Sequence, residues 1–274
     1  MSNDDASDTM FGGSVAEIYE RHLVPLIFQP YAADLADRAT RLPLTSLLEI
    51  AAGTGVVTRA LAAALPESVA ITATDLSVAM IEQARVVGTS RPVTWRAADV
   101  MQLPFDTGTF DAVVCQFGVM FFPDRPAAYA EVARVLKPGG VFLFNAWNAI
   151  EHNEFADVVT AAVRACFPDN SPQFVARIPH GYFDTAQILR DLDAGGFGSS
   201  AVVERVDAFS RASTADVPAI AFCEGTPLRH EIEACGEPSL AQVTEVAAAA
   251  VARRFGPTDI EGAMSAFVVT AIRP

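Results

Sequence analysis

Between residues 47 and 147 short aliphatic runs alternate with amphipathic stretches, and this alternation narrows the possible folds more than any other feature of the chain. Strands are expected at Ser46 to Ala51, Val69 to Thr74, Val93 to Ala97, Ala112 to Cys115 and Val141 to Trp147. Several are near-continuous aliphatic runs, the pattern of parallel strands covered on both faces. Helices are expected at Val56 to Leu65, Ser77 to Val87 and Pro126 to Leu136. Pro66 stops the first, Ser77 caps the second before Gly88 ends it, and Pro126 opens the third. Lys137-Pro138-Gly139-Gly140 reads as a turn leading into the fifth strand. Repeated β-α units of this length imply a parallel, doubly wound sheet.

The flanking regions are less regular. Phe11 to Ala39 reads as helix broken at Pro25 and Pro30, and Asn153 to Cys166 as a further helix. A proline-containing stretch runs from Phe167 to Phe183; Asp184 then caps a helix through Leu192, closed by Ala194-Gly195-Gly196-Phe197. Ala201 to Phe209 alternates as a strand, two or three helices fill Thr214 to Phe255, and Ala263 to Ile272 is a last strand. The expected fold is α/β: a doubly wound, mostly parallel, seven-stranded Rossmann-like sheet with an N-terminal helical segment and helical cap insertions. Its expected parts are a disordered tail over 1–10, N-terminal helices and a ligand-binding core over 11–147, and the rest of the sheet with a helical cap over 148–274.

Composition excludes several classes of function. Hydrophobic residues make up 51% and charged residues 19%, which is globular rather than disordered. Apolar runs such as Leu23 to Phe28 and Val141 to Phe144 are too short for a membrane span. The acidic first nine residues read as a tail and not as a signal peptide, and the four scattered cysteines read as reduced thiols of a cytoplasmic protein. Cys115, Cys166, Cys223 and Cys235 lie far apart without a C-x-x-C pair, which gives neither a zinc signature nor a disulfide framework; no metal site is expected. A formal charge of -14, from 19 basic against 33 acidic residues, argues against a nucleic acid partner.

The sharpest motif is Glu49-Ile50-Ala51-Ala52-Gly53-Thr54-Gly55, which ends a strand and opens a helix. Small residues there let the backbone turn sharply and approach a ligand closely. A dinucleotide fingerprint would need a third glycine where Val56 stands, so that match fails. Twenty residues after Gly55, Asp75 ends the second strand, where a carboxylate can accept both hydroxyls of an adenosine ribose. Asp99 follows the third strand, and Gln116 stands at the carboxyl end of the fourth. Taken singly, each has an ordinary structural reading as a tight turn, a helix cap or a loop acid.

In this order, the motifs resemble the class I S-adenosylmethionine-dependent methyltransferases, within the branch that includes the ubiquinone and menaquinone biosynthesis methyltransferases. The matching stretches are Leu48 to Gly55, Asp75-Leu76-Ser77-x-x-Met80, Asp99 to Phe105 and Arg134 to Gly140. The resemblance implies S-adenosyl-L-methionine as cofactor. It places Ala51, Gly53 and Gly55 against the methionine part, Asp75 on the ribose, Leu76 and Met80 beside the adenine, Asp99 and Val100 at the adenine edge, and Gln116 near the methionyl end. The family has glycine at the position of Ala51, a small departure. Tyr19, on the helix before the sheet, either reaches the cofactor carboxylate as in relatives or packs that helix down.

Such a cofactor carries its methyl group on a cationic sulfonium, so the protein's task is alignment of the acceptor. The resemblance supplies no universal catalytic residue. His152, His180 and Tyr182 are the candidate polar contacts to the acceptor, set in two insertions, Asn148 to Phe183 and Ser210 to Gly256. Aromatic residues in these insertions suggest a helical cap over a small, apolar or aromatic acceptor. Two other readings stay open: another adenosine-cofactor enzyme such as a dehydrogenase, and a cofactor-binding regulatory module without turnover.

Overall fold

The computed structural model describes residues 14–274; the tail expected over 1–10 lies outside the described residues. Seven strands form one sheet: β1 Ser46–Glu49, β2 Ala70–Asp75, β3 Thr94–Ala97, β4 Phe110–Gln116, β5 Leu136–Trp147, β6 Val202–Thr214 and β7 Thr258–Ile272, in the order β3-β2-β1-β4-β5-β7-β6. The first five are parallel, with Leu47 registered beside both Ile71 and Ala112, Thr72 beside Thr94, and Val113 beside Phe142. Strand order therefore reverses at β1, which makes the gap between the β1 and β4 carboxyl ends the topological switch point where such sheets bind ligands. β7 runs the other way: Gly139 N donates to Arg273 O, Arg273 N to Gly140 O, and Asn148 N to Ser265 O. The sheet is thus mixed but mostly parallel.

Helices α1 Ser14–Ile18 and α2 Gln29–Thr40 precede the sheet, joined by a π-helical stretch over Tyr19–Phe28. The break expected at Pro25 does not occur. Proline has no N–H to give to the carbonyl four residues back, and the wider π turn carries the chain past that defect without ending the helix. Pro30 sits just past the junction of the π stretch with α2 and does not end the helix either. Helices α3 Val56–Ala64, α4 Val78–Val87 and α5 Arg125–Val135 follow β1, β2 and β4. Ser77 Oγ accepts from Met80 N at the start of α4, and Asp124 Oδ1 from Ala127 N at the start of α5, as N-caps do. Later come α6 Glu154–Cys166, α7 Phe174–Arg177, α8 Thr185–Ala194, α9 Asp216–Glu224, α10 Leu228–Cys235 and α11 Leu240–Phe255. Among the described residues no helix is long and apolar enough to cross a membrane.

Lys137 to Gly140 is not a turn ahead of a strand. Phe110 pairs with Leu136 and Ala112 with Val141, so four residues of β5 bulge out opposite the single residue Asp111. The bulge is held by Lys137 Nζ on Asp111 Oδ1 at 2.6 Å and by the backbone bonds to Arg273. Proline and glycine here serve a bulge, which tolerates both better than a regular ladder does.

The chain divides into two compact units. Among the described residues, a sheet unit comprises 30–146, 182–206 and 266–274, and a helical unit comprises 14–29, 147–181 and 207–265. The core of the sheet unit gathers Leu35, Leu61, Ile71, Val114, Leu143 and Val268, all essentially shielded from solvent. The helical unit has α11 packed on α6 and α9. The N-terminal helices up to Gln29 cluster with the insertions rather than with the core. Ser210 Oγ donates to Leu26 O at 2.5 Å, and the Gly225 backbone comes so close to Ile18 and Leu23 that a Cβ there would lie 3.1 Å from the isoleucine.

Candidate active site

Because β1 to β4 are parallel, their carboxyl ends fall on one edge of the sheet, and the motifs that follow them are brought together there. The turn after β1 leaves the ladder gradually: Ile50 N still donates to Val114 O and Ala52 N to Thr74 O. The backbone then turns through three left-handed positions, Ala51 at φ 51°, Gly53 at 55° and Gly55 at 83°. Glycine reaches that region freely, whereas alanine there costs about 1–2 kcal/mol. Gly55 is required twice over, since a Cβ would also lie 2.8 Å from the Trp95 ring. That space is filled by protein, so Gly55 shapes the turn from behind, at the start of α3.

Asp75 is bound to the turn it was expected to complement. One carboxylate oxygen accepts from Gly53 N at 2.7 Å and the other from Ser77 N at 2.8 Å, which fixes its orientation at the end of β2. Leu76 is half-buried beside it and Met80 is buried on α4. Asp99 accepts from Met101 N and starts a single 3-10 turn over Val100–Gln102, so its cap role and a ligand role share one carboxylate. Gln116 is half-buried at the end of β4. The next residues form a tight loop: Phe117 at φ 50°, with its N–H on Asn145 Oδ1, and then Gly118. A Cβ on Gly118 would lie 2.5 Å from Ala51 Cβ, so the β4 loop presses directly on the β1 turn.

Three polar groups at this edge were not singled out by sequence. Glu49 is 1% exposed; burial pushes its carboxyl up to about 8, against the hydrogen bond from Thr58 Oγ1 at 2.6 Å, which favours the charged form. Thr54 Oγ1, within the turn, and Asn145 Nδ2, registered beside Gln116, are buried without a hydrogen-bond partner among the described residues. Buried polar groups normally find partners. Asn145 carries the signal that reveals it, as a polar residue inside an otherwise aliphatic strand.

The acceptor candidates fall into different units. His180 is buried in the helical unit with Nδ1 2.9 Å from Asn148 O. A carbonyl only accepts, so Nδ1 carries the proton and Nε2 is the basic nitrogen. Burial pushes this imidazole down to about 4, so it is neutral near pH 7 and a weak base. His152 is exposed on a single 3-10 turn of the same unit. Tyr182 belongs to the sheet unit, where its hydroxyl donates to Asp191 Oδ2 at 2.8 Å and burial moves its ionisation far above the usual range. Tyr19 stacks on Phe28 with ring centroids 5.1 Å apart. Among the described residues no group of three or more His, Cys, Asp or Glu side chains is placed to hold a metal ion.

Residues 48–144 match the model of the methyltransferase domain family. The chain is 34% identical over 158 residues to the demethylmenaquinone methyltransferase of Mycolicibacterium gilvum, covering 56% of this chain and 66% of that protein. It is 41% identical over 98 residues to the ubiquinone/menaquinone biosynthesis C-methyltransferase UbiE of Geobacter sp. M21, covering 34% and 42%. To the demethylmenaquinone methyltransferase of Corynebacterium urealyticum it is 30% identical over 164 residues, covering 57% of this chain and 68% of that protein. The chain belongs to the class I S-adenosylmethionine-dependent methyltransferases. Its branch is the one that includes the ubiquinone and menaquinone biosynthesis enzymes. The match spans just under two thirds of the Mycolicibacterium protein and less than half of the Geobacter one. Solved structures agree on the methyltransferase fold. Phosphoethanolamine N-methyltransferase 2 of Haemonchus contortus, in complex with S-adenosyl-L-methionine, superposes with a TM-score of 0.59 at 16% identity, over 100% of this chain and 60% of that one. YcgJ of Bacillus subtilis does so with a TM-score of 0.55 at 17% identity, over 89% and 98%.

Proposed function

We propose that this chain transfers the methyl group of S-adenosyl-L-methionine to a small, planar acceptor of quinone type, as the names of its relatives suggest. One observation carries the reading: the β1 turn, Asp75, Asp99 and Gln116 stand in sequence order at consecutive strand ends on one edge of the sheet. The residues present fit the cofactor. A positive-φ turn exposes backbone to the ligand, an oriented carboxylate follows at Asp75, and two buried polar atoms, Thr54 Oγ1 and Asn145 Nδ2, lie at the same edge. Ala51 and Gly53 would flank the methionyl part, Asp75 would accept the ribose hydroxyls, and Asp99 with Val100 would border the adenine, with Leu76 and Met80 beside it.

When bound, the cofactor supplies an electrophilic methyl group on a positive sulfur. The protein then has to hold the acceptor in line and exclude water. Within the helical unit, His180 is neutral with its proton fixed on Nδ1 toward Asn148 O, and His152 is exposed. The unpaired cysteines and the acidic charge fit a cytoplasmic enzyme that does not act on nucleic acid.

The test has two stages. Calorimetry on the full chain should give saturable binding of S-adenosylhomocysteine and none of NADH. Incubation with S-adenosylmethionine and a reduced 1,4-naphthoquinone should then release S-adenosylhomocysteine. Binding of NADH in its place would support a dehydrogenase. Tight S-adenosylhomocysteine binding without product across a panel of quinols and phenols would support a binding module.

A further inference from the structure

Tyr182, a candidate polar contact to the acceptor, is held within the sheet unit by three neighbours. Its ring lies 4.1 Å from the Arg125 guanidinium carbon, face to cation. Its hydroxyl is held by Asp191 Oδ2 at 2.8 Å and lies 3.3 Å from the Tyr129 hydroxyl. Asp191 is itself fixed by Gln187 Nε2, one turn earlier on α8. The guanidinium so placed donates from Nε to Val119 O at 3.3 Å and from Nη2 to Met120 O at 3.0 Å. Those carbonyls belong to the loop that begins at Gln116, and the loop's Gly118 presses on Ala51 of the β1 turn.

We infer that Tyr182, Asp191 and Arg125 form a brace that sets the position of the β4 loop against the β1 turn, and so governs cofactor affinity without touching the cofactor. The inference rests on the cofactor reading proposed above. Arg125 suits the task because its planar fork presents Nε and Nη2 to two carbonyls in a fixed geometry, whereas a lysine ammonium is a point charge on a flexible stem. Tyr182 is then a positioning residue: its ring seats the guanidinium, and its buried hydroxyl keeps the ring from turning. Both loop ends are otherwise anchored, by Asn145 at Phe117 and by Asp124 at the start of α5. Val119 and Met120, between those anchors, are where the brace takes hold.

The test is a set of full-length variants measured for S-adenosylhomocysteine affinity by calorimetry and for thermal midpoint. Arg125→Met and Tyr182→Leu should each weaken binding about tenfold, and the double variant should be little worse than either, because both remove one device. Tyr182→Phe keeps the ring over the guanidinium and should regain most of the affinity. Ile188→Val, a buried change on α8, serves as control: it should lower the midpoint without moving the affinity. Parent-like binding in Arg125→Met and Tyr182→Leu, an affinity loss in Ile188→Val that scales with its midpoint as theirs does, or additive losses in the double variant would each overturn the brace. A parent chain that binds no S-adenosylhomocysteine would overturn the cofactor reading first, and the brace with it.

Discussion

Gly118→Ala is a one-methyl perturbation whose consequence can be worked out from the geometry. Gly118 has φ -99° and ψ -32°, a backbone that alanine adopts readily, so no dihedral strain enters. The added Cβ would lie 2.5 Å from Ala51 Cβ and 2.7 Å from Cys115 Sγ, against ordinary carbon contacts near 3.5–4.0 Å. Overpacking of this kind costs about 1–3 kcal/mol. Cys115 is locked in β4, fully buried, whereas Ala51 already holds a left-handed backbone in a turn, so the turn is the part that yields. The substitution should lower urea-unfolding stability by about 1–3 kcal/mol and weaken S-adenosylhomocysteine binding at least about tenfold, one decade being about 1.4 kcal/mol. Adding Ala51→Gly removes the nearer clash and the left-handed strain together, and should restore most of the affinity. Gly118→Ala with parent stability and parent affinity would refute the idea that the two loops are in register against each other.

Asp75→Ala should weaken S-adenosylhomocysteine binding by tenfold or more, since each hydrogen bond to a charged acceptor is worth about 1.5–3 kcal/mol; unchanged calorimetric affinity would remove Asp75 from the site. Glu49, with its folded carboxyl raised to about 8 from 4.5, contributes stability that is complete below pH 4.5 and lost as pH rises through 8. Glu49→Gln should abolish that roughly 3–5 kcal/mol decline and so be the more stable form in denaturant titrations at pH 9. His180 shows the opposite sign: lowered to about 4 from 6.5, it contributes stability present above pH 6.5 and lost as pH falls through 4. His180→Asn keeps a donor for Asn148 O without a titratable nitrogen, and should flatten roughly 3 kcal/mol of that acid slope; an unchanged slope would mean His180 is not buried neutral.

What sequence revealed and what it hid divide along a physical line. The central strands β1, β4 and β5 declare themselves because burial on both faces forces aliphatic runs, and Ser77 and Asp184 declare two helix starts because capping is local chemistry. The strand-end acids were legible for a related reason, since parallel pairing puts every carboxyl end on one edge. Pro25 misled because its cost depends on whether the helix can widen, which no single residue states. Lys137 to Gly140 misled because a bulge and a turn use the same residues, and the partners that decide between them, Asp111 and Arg273, lie 26 or more positions away. Glu49 was quoted within its motif, but its full burial and its bond to Thr58 depend on how α3 folds back over β1.

The motifs that carried the family resemblance are also bonded to one another, which explains why they are diagnostic together and weak apart. Gly53 of the first stretch donates to Asp75 of the second. The second reaches the third through Ala98 N on Asp75 O. The third and last stretches are tied from both sides: Leu103 N donates to Glu131, while Arg134 donates to Leu103 O at 2.8 Å and to Phe105 O at 2.7 Å and pairs with Glu131. Helix α5 thus secures the loop after Asp99 from its last turn, as Arg125 secures the loop after Gln116 from its first. Arg134 belongs to a recurring stretch and could be read from sequence; Arg125 depends on Tyr182 and Asp191, which lie 57 and 66 positions away on and beside α8. A substitution at Arg134 should therefore be felt at Asp99, and one at Arg125 at Ala51, although the carbonyls these arginines hold belong to neither residue. On the brace proposed above, cofactor affinity in this chain would depend on what holds the strand-end loops as well as on the residues that line them.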